Sequence, residues 1–130
     1  MEPQVLKIIV RLEQFEADMR SALRSKSEPV EVLALASAGF QRVHSAFGGV
    51  KLGSGPLMIA AIEALKEADT VLREIDARFG AISTRAQRRE PTHNEVLDAL
   101  RFALGNLEGL LRHATALAGS LATEQTTLFG

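Results

Sequence analysis

Glu90 and His93 are the first residues whose spacing suggests chemistry. Glu-x-x-His on a helix sets a carboxylate and an imidazole one turn apart, which is how helical bundles hold a pair of metal ions. Pro91 falls between them here, and Pro ends a helix more readily than it continues one. The pair therefore reads as part of a turn, and the apolar faces of the neighbouring helices offer no carboxylate to complete a metal site. His44 stands alone, whereas a metal needs three or four donors. It reads as a polar spot in the core or at the end of a bundle, and Ser37 on the same face reads as a hydroxyl returned to a carbonyl one turn back. Gly48 and Gly53 have the G-x-x-x-x-G spacing of a phosphate-cradling loop, but Ser54 stands where that loop requires Lys, and no strand precedes it. Residues 48–55 are expected to be a connector. Arg85, Arg88 and Arg89 are a dense basic cluster. Positive charge at a helix C-terminus complements the helix dipole, and no aromatic residue is interleaved to stack on bases, so nucleic acid is not directly indicated. No Ser–His–acid set is anchored by order or spacing. No catalytic residue, metal ligand or cofactor-binding residue is assigned, and the expectation is a protein that is not an enzyme.

Arg88 and His93 also stand at R-x-x-x-x-H spacing, which resembles the motif of HEPN ribonucleases, small helical bundles. That resemblance implies basic groups that activate and stabilise attack by a ribose 2′-hydroxyl. The family usually has Asn, Asp or His after the Arg. Here Arg89 follows, and Pro91 interrupts the segment.

The elements that position these residues follow from periodicity. Met58, Ala61, Leu65, Ala68, Leu72, Ile75, Phe79 and Ile82 recur at alternating steps of three and four, the seam of an amphipathic helix. Pro56 starts that helix, and it is expected to span about 56–89. Thr92, His93, Asn94 and Glu95 form a capping box, in which Thr92 caps and Glu95 reaches back. The helix they open carries Leu97, Leu100, Leu104, Leu107, Leu111, Ala114, Ala118 and Leu121, over about 93–122. So short a connection makes the two helices an antiparallel hairpin. Gly105, Gly109 and Gly119 are expected to allow close approach of a neighbour, and Gly80 a kink or a close contact.

Two shorter helices precede the hairpin and pack across it. Pro3 opens the first, about 3–25, with Val5, Ile8, Leu12, Phe15, Met19 and Ala22 on its seam. Leu6, Ile9, Val10 and Leu23 widen that face, so the helix is expected to be covered on more than one side, or to form a surface for a second copy or another partner. Ser27-Glu28-Pro29 starts the second, about 29–47, with a seam of Val30, Leu33, Ser37, Phe40, His44 and Phe47 and with Val32, Leu35 and Val43 beside it.

The totals agree with this all-α reading. The chain has 130 residues, the size of one domain, and lacks Cys, Trp and Tyr. It needs no disulfide or zinc staple to bury a core. A formal net charge of −1 draws it to neither nucleic acid nor anionic membrane. The start, Met1-Glu2-Pro3-Gln4, lacks the basic residues of a signal peptide. The apolar run 5–10 is too short to cross a bilayer. The expectation is a soluble cytoplasmic protein: one up-and-down bundle of about four helices over 1–122, dominated by the long hairpin, and a flexible tail over 123–130.

That tail carries the main functional signal. Gln125-Thr126-Thr127-Leu128-Phe129 reads Q-x-x-L-F. It resembles the short peptide by which many bacterial replication and repair proteins dock on the DNA sliding clamp. The resemblance implies that Gln125 is the polar anchor at the rim of a pocket, with Leu128 and Phe129 filling an apolar cleft. Thr126 departs from the Leu often found at that position. Adjacent large apolar side chains on a tail suit hot-spot binding in a preformed pocket. The alternative is that Leu128 and Phe129 fold back on the bundle. The chain is also similar to flagellar export chaperones of the FlgN type in its length, its long helical hairpin and the stretch Thr127-Leu128-Phe129-Gly130. That second resemblance implies an export client as partner. The function expected is that of an interaction adaptor, with a small secretion or export chaperone as the alternative.

Overall fold

The structure is a computed structural model describing residues 3–48, 56–86 and 88–129, with the side chains of 6–47, 63–86, 88–116 and 119. Four helices follow one another: α1 (Pro3–Ser25), α2 (Pro29–Gly48), α3 (Pro56–Arg85) and α4 (His93–Phe129). No strand occurs among the described residues. Each of α1, α2 and α3 begins on a proline, whose fixed φ and missing N–H suit the first helical turn. Neighbours in sequence run antiparallel, and α4 returns to lie beside α1, closing the ring. Among the described residues, α2 and α4 approach across the ring while α1 and α3 do not. The expected all-α bundle is therefore the observed one.

One core runs through all four helices. Ile8, Leu12, Phe15, Met19 and Ala22 of α1 are buried on the predicted seam, as are Leu72, Ile75, Phe79 and Ile82 of α3. Val5, Met58, Ala61, Ala118 and Leu121 belong to the predicted seams but lie outside the described side chains. On α1, the wider face is only partly covered: Ile9 is buried, whereas Leu6 and Val10 are 45% and 47% exposed.

Two faces are rotated from their predicted settings. The buried line on α2 is Val32, Ala36, Phe40, Val43 and Ala46. Val30, expected on the seam, is 69% exposed, and Ser37 is exposed as well. Small residues explain the rotation. A Cβ added at Gly39 would lie 2.6 Å from Cδ1 of Phe15, so the bare backbone of α2 lies against that ring. Interiors close-pack, and close approach puts Ala and Gly at the contact instead of the largest apolar groups. On α4 the buried line includes Val96, Ala99 and Ala103 beside Leu100 and Leu107, while Leu97 and Leu104 are half-buried. Glycines expected to admit a neighbour do not: an added Cβ at Gly80, Gly105 or Gly109 meets nothing within 4 Å among the described residues.

The junctions are equally specific. α1 ends with Lys26 at φ 51°, and the Ser27 N–H donates to the Ala22 carbonyl at 3.1 Å. This is the left-handed helix stop that glycine usually occupies. α3 stops at Arg85, four residues before the predicted end. The N–H groups of Arg88 and Arg89 both donate to the Arg85 carbonyl, and that turn places them outside the helix. Only half of the capping box forms. The Glu95 N–H donates to Thr92 Oγ1 at 3.2 Å, but the Glu95 carboxylate takes the Arg89 guanidinium instead of reaching back. The guanidinium brings a full opposite charge to the carboxylate, whereas the reach-back bond would bring it a neutral donor.

α4 continues as helix through Gln125 to Phe129, without a break at 122. No Gly or Pro occurs between 120 and 129 to stop it.

Candidate functional site

The helices bring few of the sequence-suggested groups together. Arg88 and His93 are both exposed, and no contact joins them. His93 opens α4, with Nε2 4.0 Å from Glu28 Oε2 across the junction to α2. Glu90 lies exposed in the turn. The Arg cluster is divided, with Arg89 held by Glu95, Arg85 in the last turn of α3 and Arg88 in the turn that follows. The Glu-x-x-His and R-x-x-x-x-H pairs are thus features of one exposed connection.

His44 has the most developed polar setting, and sequence reasoning missed its partners. Its ring stacks on Phe40, one turn back, with centroids 5.4 Å apart. Nδ1 lies 3.3 Å from Asp69 Oδ1 on α3, and Asp69 Oδ2 accepts from Arg73 Nε at 2.9 Å. Nδ1 and Oδ1 are each shielded from solvent and make no hydrogen bond of good geometry, so their 3.3 Å approach is the polar contact each has among the described residues. Carried on half-exposed side chains, the pair ties α2 to α3. The position of His44 on the predicted seam was the one available hint. Asp69 gave none, because it lies next to the seam residue Ala68 and acquires meaning only from the helix register. Further ties are Arg42–Asp18 at 3.8 Å between α2 and α1, and the Arg78 guanidinium 4.0 Å over the Phe102 ring between α3 and α4. No polar or charged residue is fully buried among the described ones.

The third candidate, Gln125, Leu128 and Phe129, lies in the last turns of α4. Their side chains are outside the described set, but the backbone register is fixed by residues further back. Around a small apolar gap, Ile8 of α1 lies across from Leu110, His113 and Ala114 of α4. At the other end Ala22 and Leu23 face Val96, Leu97 and Leu100. Antiparallel helices advance equally per residue, so Pro3 lies level with about residue 117. On the α3 side, Leu65 and Ala68 border the same gap as Leu110 and Ala114, and Arg78 meets Phe102. By the same rule Pro56 lies level with about residue 123. Phe129 is therefore about 18 Å beyond the start of α1 and about 9 Å beyond the start of α3, at about 1.5 Å per residue.

No helix among the described residues is long and apolar enough to cross a membrane. Comparison with known protein families, with curated proteins and with solved structures finds no match to this chain.

Proposed function

We propose that this is a non-enzymatic cytoplasmic adaptor that docks on a protein partner through Gln125, Leu128 and Phe129. The partner proposed is a DNA sliding clamp. The observation that carries the reading is the overhang of α4: Gln125, Leu128 and Phe129 lie past the first turns of both α1 and α3. Neither helix has residues level with them. On a helix, spacings of three and four place residues on one side, so these three share a face.

Docking into a cleft as an extended peptide requires the last turn of α4 to unwind. Thr126 and Thr127 favour this, because β-branched residues lose rotamer freedom in a helix. Helix ends also open at little cost compared with a packed interior. Leu128 and Phe129 then serve as adjacent apolar anchors and Gln125 as the polar contact at the rim.

The test is a calorimetric titration of a bacterial sliding clamp with the full chain and with Leu128→Ala/Phe129→Ala. Loss of two anchors is expected to weaken binding by about thirtyfold or more, the equivalent of about 2 kcal/mol for one hot spot. Equal affinity of the two proteins, or no binding of either, would overturn the proposal. The export-chaperone reading draws support from the same helix, since a helical end can pair with a helix of a client. It predicts a 1:1 complex with a secreted protein's terminal helix, lost when apolar helix faces are made polar.

A further inference from the structure

The opposite end of the bundle holds a groove that the adaptor reading does not use. It opens between the end of α1 and the start of α4 and has a volume of about 540 Å³. Ligand sites for small molecules span roughly 300–1,000 Å³, with an apolar lining and a few convergent polar groups. Ala22, Leu23, Val96, Leu97 and Leu100 make its floor, which carries no aromatic side chain. Lys26, Arg101, His93 and Ser27 stand around that floor. Neither Lys26 nor Arg101 belongs to an ion pair or side-chain hydrogen bond among the described residues. This contrasts with Arg20, Arg42, Arg73 and Arg89, each of which is paired with a carboxylate. Glu28 faces His93 of the groove at 4.0 Å, and Asp98 lies on α4 three residues before Arg101 without an ion pair to it.

We infer that this groove binds a small aliphatic carboxylic acid, with its chain on the leucine floor and its carboxylate between Lys26 and Arg101. Each part of the ligand answers a part of the site. Branched aliphatic side chains without a ring accept a flexible hydrocarbon chain, which loses water on entering. A guanidinium presents a fork of donors matched to a carboxylate, and an ammonium adds a point charge. A primary alcohol of the same length would fill the floor but leave both cations without a counter-charge. An alkylamine would add a third positive charge beside them.

Lys26 offers a variant in which binding and folding separate. It holds a left-handed backbone conformation that costs an L-residue free energy and costs glycine almost none. Lys26→Gly should therefore fold at least as well as the native chain while removing one cation. The experiment is an NMR titration of the ¹⁵N-labelled full chain with sodium decanoate, with 1-decanol and decylamine as the other arms. Decanoate is expected to shift the amides of 22–27 and 93–101, and to bind at least tenfold more tightly than either other compound. Lys26→Gly and Arg101→Gln should each weaken decanoate several-fold, and together by tenfold or more, with the melting temperature of Lys26→Gly unchanged or raised. Any of three results would overturn the inference: equal binding of decanoate and decanol, shifts centred elsewhere, or full decanoate affinity in the double variant. The outcome is independent of the clamp titration, because the groove and residues 125–129 lie at opposite ends of α4.

Discussion

The α1–α2 interface and the far end of α4 are built in opposite ways. At the interface, Gly39 brings the α2 backbone onto the ring of Phe15, and the seam from Ile8 to Ala22 is buried along its length. At the far end, α4 runs on for about three turns past the start of α1 and under two past the start of α3, carrying Gln125, Leu128 and Phe129. The contrast teaches a division of labour. Contacts that hold the bundle concentrate where small and large side chains interlock. A segment that outruns its neighbours is expected to contribute little to that core.

Substitutions can break this comparison from the sealed side. Phe15→Ala should cost the most, about 3–5 kcal/mol, because it deletes a buried aromatic side chain and leaves a cavity. Chemical denaturation measures it, and a loss below about 1 kcal/mol would show a core far looser than described. Gly39→Ala comes next. Its methyl would stand 2.6 Å from the Phe15 ring, and overpacking costs about 1–3 kcal/mol, against a gain of about 1 kcal/mol in helix propensity. A net loss is expected, and a gain would mean that the helices separate freely. Thr92→Ala removes the acceptor of the Glu95 N–H and should cost about 1 kcal/mol.

The smallest effect should have the opposite sign. At Gly105 an added methyl meets open space, so Gly105→Ala should stabilise by up to about 1 kcal/mol through propensity alone. The same chemical change at positions 39 and 105 thus separates packing from propensity, and thermal unfolding of the two variants side by side reads the difference.

Much of this fold was legible in the sequence, for identifiable reasons. Pro3, Pro29, Pro56 and Thr92 mark helix starts through local chemistry, and local chemistry does not depend on neighbours. The seams of α1 and α3 are lines of large apolar residues, which periodicity detects. The face of α2 was misplaced because its contact is made by Ala36, Gly39 and Ala46, and small residues matter only once a partner such as Phe15 is known. The end of α3 was set too late because Arg88 and Arg89 are compatible with helix, while the turn bonds to the Arg85 carbonyl are set by the path into α4. Glu95 was assigned to its own cap, and Arg89, brought within reach by that same turn, took it instead. The His44–Asp69 pair joins two helices whose relative register no local rule supplies. Residues 125–129 stood out as a linear pattern, and their position past α1 and α3 emerged only from the antiparallel register.

The measurement that bears most directly on the division between core and overhang is the unfolding free energy of Leu128→Ala/Phe129→Ala relative to the native chain. Residues that outrun the bundle should change it by no more than about 0.5 kcal/mol, as surface substitutions do. A loss of about 2 kcal/mol or more would show that Leu128 and Phe129 fold back onto the bundle as part of its core, and would contradict the account.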